Sequence, residues 1–524
     1  MKWTTKANKY LKKYWNIDSL KDKQFDVINE LLSGNDVIGL LPTGYGKSMC
    51  YLIPPLVSKK VMFIISPLIS LMDDQKHKLT QMGIKCAALH SNNNNIFEET
   101  EMILAGEIKI VYMSPEYLIK SNGLSLAESL KEIGLLGFLA VDESHCCSVW
   151  GQDFRPEYTK IKEFRERIPE IPILAVTATA TKIVCDDISM ILCLNDPVLV
   201  KTSFDRPNLF IKVEELMSVQ IGKSKKSKKM TIVQKVTDLV IPKIKEYDNM
   251  KIIIYVNSRK DTEEFAATIN SIIPFVSDAY HAGMGKKARE TIQSKFANGE
   301  IKVIVSTIAF GMGIDQTVKC VLVFGCPSSI EEYYQQIGRG GRDGMPCDTV
   351  LYFDYGKLAI AKFMLKDVKH IPTLYKVKLE NLNKIGKFAY YSMCRRKYIL
   401  EHFNEVCDFF TCNNCDNCCN QKLTDITAQV WPILFKTNMN ITGMTNMIRN
   451  TLLSQDLDII GPISYWRKYI TENNITLENI PEKLKIKIPT NFLSIKKSPE
   501  KKPETDFEEK LNLYEKIAKK QINL

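Results

Sequence analysis

The chain has 524 residues, 45% hydrophobic and 25% charged, an ordinary globular balance with length for roughly three or four domains. Seventy-one Lys and Arg against 60 Asp and Glu leave a net charge of +11, which fits a polyanionic partner. The start, MKWTTKANKYLKKYW, lacks the apolar core of a secretory signal. The longest apolar stretch, VMFIISPLISLM at 61–72, is broken by Ser and Pro and falls short of the ~20 residues a membrane span needs. Secreted and membrane-spanning classes are thereby excluded and an intracellular, soluble protein is expected. Its fifteen cysteines should mostly be reduced, so a dense cysteine cluster points to metal rather than disulfides.

In chain order, DVIGLL (36–41), VMFIIS (61–66), KIVYMS (109–114), LGFLAVD (136–142) and PILAVT (172–177) form one series of apolar runs. KIIIYV (251–256), KVIVST (302–307) and CVLVFG (320–325) form a second. Continuous apolar runs separated by helix-length segments predict buried parallel strands. The fold class is therefore α/β with two parallel-sheet domains, over 1–206 and 207–350. Between the two series, the basic stretch IGKSKKSKKM (221–230) reads as an exposed loop. Helix-like segments then lead into a cysteine-rich stretch, giving a subdomain over 351–420. Residues 425–480 read as a small mixed domain, and the Lys-rich segment 481–524 as a poorly ordered tail.

Several motifs carry chemistry. LLPTGYGKSMCY (40–51) follows the first apolar run, placing Thr43, Gly44, Tyr45, Gly46, Lys47 and Ser48 where a strand turns into a helix. Backbone N–H groups there can wrap a triphosphate, with Lys47 on the β/γ phosphates and Ser48 on Mg2+. Leu41 stands where the strict P-loop pattern has Gly; the segment instead resembles the Thr-Gly-x-Gly-Lys-Ser variant used by superfamily 2 helicases. Asp142 and Glu143 close the fourth run. Paired acids often only cap a helix, but downstream of a P-loop Asp142 is expected to hold Mg2+ and Glu143 to polarise the attacking water. QQIGRGGRDG (335–344) supplies Arg339 and Arg342, which could face the γ-phosphate from the second domain or form a surface turn.

Immediately after the acids comes SHCCSVWGQDFRPEY (144–158). Trp150, Phe154, Arg155 and Tyr158 suit base stacking; core packing is the bland alternative, against which Gly151 and the polar Gln152, Asp153 and Arg155 argue for an exposed loop. Farther on, Cys394 and the CxxCxxC set Cys412, Cys415 and Cys418 make a four-thiolate structural Zn2+ site. Cys407 and Cys419 are additional candidates, although Cys419 directly follows Cys418 and would strain the turn. A metal-free cluster or a redox pair is the competing reading.

Together these segments resemble the RecQ family of superfamily 2 DNA helicases over about residues 10–420. LPTGYGKSMCY resembles motif I, SPLISLMDDQ (66–75) motif Ia and YMSPEYL (112–118) the motif after it. DESH (142–145) resembles the acid box, VTATAT (176–181) motif III, and SFDRPNL (203–209) the inter-domain junction. YVNSRKDTEEFA (255–266), VSTIAFGMGID (305–315) and QQIGRGGRDG resemble motifs IV, V and VI. SVWGQDFRPEY resembles the aromatic-rich loop, and the CRR and CDNC segments the zinc subdomain. Departures are Leu20 and Lys21 for a Phe-Arg pair, Gln152 for His, and Gly340 for Ala.

The resemblance implies two RecA-like domains in tandem, a zinc-binding helical subdomain and a divergent winged helix over 425–480, where Trp466, Arg467 and Lys468 could contact phosphate or simply pack. It implies Gln24 as the adenine reader, and Gly313 and Asp315 of motif V at the nucleotide. His145, Thr177 and Thr179 would relay γ-phosphate state to the DNA-stacking Trp150, Phe154 and Arg155. The expected activity is ATP-dependent 3′–5′ unwinding of single-stranded and forked DNA with ATP, Mg2+ and Zn2+. A superfamily 2 RNA helicase or an inactive nucleic-acid scaffold are the alternatives.

Overall fold

The computed structural model describes residues 2–120, 122–151, 154–216, 219–220, 227–228, 230–308, 310, 316–390, 394–409 and 411–419, plus short strands at 423–425, 457–459, 487–489 and 493–495. Gln152, Asp153, Gly313, Asp315, the winged-helix expectation with Trp466, Arg467 and Lys468, and most of the tail lie outside the described residues.

The first sheet holds β1 (Val37–Leu40), β2 (Val61–Ile65), β3 (Cys86–Leu89), β4 (Ile110–Met113), β5 (Leu136–Val141), β6 (Ile173–Thr177) and β7 (Val198–Lys201). All its pairings are parallel, in the order β3-β4-β2-β5-β6-β1-β7. Helices cover both faces, which explains the unbroken apolar runs. In β2, Val61, Phe63 and Ile65 enter one core cluster while Met62 and Ile64 enter the other. Each such side chain, fully buried, contributes roughly 1.5–3 kcal/mol.

A two-residue hairpin of β9 (Val219–Gln220) and β10 (Ser227–Lys228) follows β8 (Leu209–Glu215). The second sheet is again all parallel, ordered β12-β13-β11-β14-β15-β8. Its remaining strands are β11 (Ile252–Tyr255), β12 (Ser277–Tyr280), β13 (Val303–Ser306), β14 (Cys320–Gly325) and β15 (Cys347–Phe353). Among the described residues no helix is long and apolar enough to cross a membrane.

Two buried ionic anchors fix parts that bear on function. Arg165 Nη2 reaches both Asp36 oxygens at 2.7 Å, and the same carboxylate accepts from Ile173 N and Asn195 N, each at 2.7 Å. That pins the start of β1, and so the loop at its far end, against β6. In the C-terminal part, the helices Pro372–Tyr390 and Arg395–His402 pack on β8. Arg396 donates to Leu209 O at 2.6 Å and to Asp205 Oδ1 at 2.7 Å, while Asp416 accepts from Val213 N at 2.9 Å and from Arg395 Nε at 3.1 Å. The segment joining the two sheets is thus gripped by the cysteine-bearing subdomain.

Candidate nucleotide and metal sites

The loop after β1 turns with Gly44 at φ +84° and Gly46 at φ +93°, angles that L side chains rarely adopt. Close approach adds a second demand for glycine. A Cβ on Gly44 would lie 3.2 Å from Arg342 Cγ, and one on Gly46 would lie 2.5 Å from Gln24 Nε2. The helix Ser48–Ser58 starts directly after the loop, so its N-terminal N–H groups face the space where phosphate would sit.

That space is a cavity of about 340 Å3. Thr43, Gly44, Gly46, Lys47, Ser48, Asp142 and Glu143 line it from the first sheet, and Arg339 and Arg342 from the second. Lys47 Nζ lies 3.3 Å from Glu143 Oε1. Tyr51, one turn along from Ser48, donates to Asp142 Oδ2 at 3.3 Å and bonds Ser48 Oγ at 3.1 Å. Tyr51 is a site residue that motif chemistry does not name; its spacing of three from Ser48 on a helix is the sequence signal for it.

The two acids are electrostatically distinct. Burial, and then the neighbouring Glu143 charge, push Asp142 up to about 6. Burial also works to raise Glu143, but Lys47, His145 and Arg339 outweigh it and hold that carboxyl below its ordinary value. Neighbouring carboxyls driven apart in this way take different roles: Glu143 ionises first, and above about 6 Asp142 adds a second buried negative charge that a cation would offset. Ser48 and Asp142 with the P-loop therefore suit a Mg2+–triphosphate. Arg339 is lowered by its burial, although Tyr255 and Glu143 both act to raise it.

Gln24 is buried, and its amide is engaged by the loop itself. Nε2 donates to Tyr45 O at 3.1 Å and Gly46 O at 3.0 Å, and Oε1 accepts from Lys21 N at 2.9 Å. Lys21 Nζ sits 4.8 Å from the Tyr45 ring centroid. The structure thus brings Gln24 to the P-loop.

From Glu143 a polar chain leads away. His145 Nδ1 lies 3.4 Å from Glu143 Oε2 and 2.8 Å from Thr177 Oγ1, which in turn bonds the Thr179 carbonyl at 3.3 Å. Thr179 Oγ1 accepts from Gln335 Nε2 of the second domain at 3.3 Å. Trp150, Phe154 and Arg155 are each partly exposed; Trp150 leans on the core, and Arg155 donates to Pro67 O at 2.6 Å beside motif Ia. Tyr158 corrects the stacking expectation. It is fully buried and donates to Asp142 O at 3.2 Å, so it braces the acid from within the core.

Gly151 joins this loop to the acid box. A Cβ there would fall 2.0 Å from the His145 carbonyl oxygen. Gly151→Ala is expected to push the loop away from His145 and lower DNA-stimulated more than DNA-independent ATPase. Equal loss of both activities would count against that link.

The structure brings Cys394, Cys412, Cys415 and Cys418 together, with all four Sγ atoms within 4.8 Å of one another. Tetrahedral Zn–S bonds of about 2.3 Å need sulfurs close to about 3.8 Å apart; Cys412 and Cys418 already stand at 3.9 Å, so the donors fit zinc. Backbone N–H groups of Lys397 and Asn414 point at Cys394 and Cys412 sulfur, 3.4 Å each. Without a cation the crowded thiols share their protons unevenly, Cys412 and Cys415 being pulled below the ordinary value and Cys394 and Cys418 pushed above it, so four thiolates together require a metal. Cys407 and Cys419 are turned toward the carbonyls of Glu405 and Asn413. Cys412→Ser should cut the zinc content and lower the melting temperature by several degrees, whereas Cys419→Ser should retain the metal. Zinc loss in the Cys419 variant alone would reassign the fourth ligand.

Tandem parallel sheets with a P-loop facing arginines across the cleft define a helicase-type ATPase. Residues 21–188 match the DEAD/DEAH box helicase family, 229–344 the helicase conserved C-terminal domain and 355–419 the RecQ zinc-binding family. A protein of Acanthamoeba polyphaga mimivirus, named an ATP-dependent RNA helicase, is 37% identical over 419 residues, 79% of this chain and 72% of its own. The ATP-dependent DNA helicase RecQ of Haemophilus influenzae is 37% identical over 413 residues, 78% of this chain and 62% of its own. The ATP-dependent helicase SGS1 of Saccharomyces cerevisiae is 37% identical over 80% of this chain but 28% of its own. The chain thus spans less than two thirds of those two cellular relatives. A DNA-bound DUF1998 helicase structure shares the fold at a TM-score of 0.55 and 20% identity, over 68% of this chain and 48% of that one. This chain belongs to the RecQ family of superfamily 2 helicases.

Proposed function

We propose that the chain is an ATP-dependent DNA helicase that moves 3′–5′ along single-stranded DNA and opens forked duplex. The observation that carries this is the shared cavity, in which Lys47, Asp142 and Glu143 of one sheet face Arg339 and Arg342 of the other. The division into 1–206, 207–350 and 351–420 belongs to the same proposal, as do the polarity and the roles below.

Gln24 and the P-loop bind the nucleotide, and Lys47 engages the β/γ phosphates. Ser48 and Asp142 hold Mg2+, which when bound neutralises phosphate charge. Glu143, kept ionised, orients and polarises water for in-line attack. Arg339 and Arg342 stabilise the charge that develops on the transferred phosphoryl group. Loss of that phosphate removes what the arginines grip, and the cleft can open. His145, Thr177 and Thr179 connect the reacting end to Trp150, Phe154 and Arg155, where base stacking is worth about 1–3 kcal/mol per base. The four cysteines hold a structural Zn2+ that stabilises the subdomain clasping the inter-domain segment.

Because the mimivirus relative is named an RNA helicase, the deciding experiment uses matched DNA and RNA forks with either 3′ or 5′ single-stranded tails. ATP-dependent opening of the 3′-tailed DNA fork is expected. Faster opening of the RNA fork, or of the 5′-tailed DNA fork, would overturn the substrate or the polarity respectively.

A further inference from the structure

The turn that ends the helix Arg395–His402 touches three separate parts of the molecule, and it does so without a zinc-binding thiol. His402 Nε2 lies 2.6 Å from Glu331 Oε1, on the second-domain helix Ile330–Ile337. Phe403 stacks on Phe204 of the joining segment, centroids 4.4 Å apart and planes 11° from parallel, and meets Tyr334 edge-on at 5.1 Å. Asn404 Oδ1 accepts from Lys182 N at 3.2 Å, the first residue of the first-domain helix Lys182–Ile191. Glu405 accepts from Ser203 Oγ and from Phe204 N, the latter at 2.7 Å.

Helix Lys182–Ile191 follows the loop that carries Thr177 and Thr179, and its N-cap residue Thr181 makes no side-chain cap bond. An N-terminal helical N–H needs an acceptor; at Lys182 that acceptor comes from Asn404. Asn404 holds φ at 57°, a left-handed conformation that Asn tolerates better than most residues. On the other side, Glu331 shares its helix with Gln335, which reaches Thr179. That helix runs directly into the loop bearing Arg339 and Arg342. Four consecutive residues therefore tie the threonine loop of one domain to the helix that leads into the arginine-bearing loop of the other.

We propose that His402–Glu405 is a positioning element for the ATPase reaction, holding the loop at Thr177–Thr181 in register with the helix that delivers Arg339 and Arg342. The inference rests on the ATPase reading above. None of these four residues reaches the cavity that binds nucleotide, so their effect falls on turnover and not on ATP affinity.

The test compares wild type with Asn404→Gly and Asn404→Asp. Glycine keeps the left-handed backbone and removes the acceptor; aspartate restores an acceptor, with a charge that suits a helix N-terminus. One hydrogen bond, about 0.5–1.5 kcal/mol, corresponds to about a 2- to 13-fold change in rate. Asn404→Gly should lose about that factor in DNA-stimulated kcat, with KM for ATP and zinc content unchanged and the melting temperature lowered by no more than a few degrees, and Asn404→Asp should recover most of it. Hydrogen exchange of the same proteins without ATP should be faster in the glycine variant both at 182–185 and within 330–337. Wild-type kcat in the glycine variant, equal slowing in both variants, or unchanged exchange within 330–337 overturns the inference. Absence of DNA-stimulated ATPase from wild type overturns the ATPase reading instead, and the exchange measurement still decides whether the turn couples the two elements.

Discussion

Arg342→Ala is expected to slow ATP turnover by about 10³–10⁵-fold, the range for removing an arginine that meets the transferring phosphoryl group, while nucleotide still binds. The side chain already lies against Gly44, close enough that a single methyl group there would press on its Cγ. Nucleotide affinity should survive because Lys47, Ser48 and the helix N-terminus all belong to the first sheet. Arg342→Lys should recover little, since an ammonium lacks the planar fork of donors. Single-turnover hydrolysis alongside fluorescent-nucleotide binding checks both halves. Turnover within tenfold of wild type would move the role to Arg339, whose charge helps hold the Glu143 carboxyl below its ordinary value.

The second large effect is a trade of stability against activity at Asp142. Its carboxyl titrates at about 6 in the folded chain against 3.8 ordinarily, so ionising it in place costs about 3 kcal/mol at 1.36 kcal/mol per pH unit. The favourable contribution of the raised group is complete below about 3.8 and is lost as pH rises through about 6. Asp142→Asn should therefore abolish ATPase yet make the nucleotide-free protein more stable at pH 8 by up to that amount. The gap should close as the pH falls from about 6 toward about 4. Mg2+–ATP should reverse the order, because a bound cation changes the sign of the local charge balance. Denaturant melts at several pH values would show it; a gap of constant size, or a variant less stable at pH 8, would rule it out.

How much of this could be read from the residues depends on where each element lies. Interior strands such as β2 and β11 are apolar on both faces and announce themselves. The strands β3, β7, β8, β12 and β15 went unassigned. CAAL is short and weakly hydrophobic, SDAY is half polar, and VLVK and LFIKVEE are partly exposed. The Lys47–Asp142–Arg342 set was legible because phosphate chemistry demands those residue types in fixed local contexts. The preference for Cys418 over Cys419 came from turn geometry, and the thiols gather accordingly. Tyr158 was misread because an aromatic near a stacking loop looks the same in sequence whether it faces a base or the core. Contacts such as Asn404 to Lys182, separated by 222 residues, leave no local pattern at all.

The 3.3 Å contact between Lys47 and Glu143 also ties the charge of the carboxylate to that of the lysine. On the proposed reading, a triphosphate that engages Lys47 would draw its charge away from Glu143 and so should raise the Glu143 carboxyl toward its ordinary value.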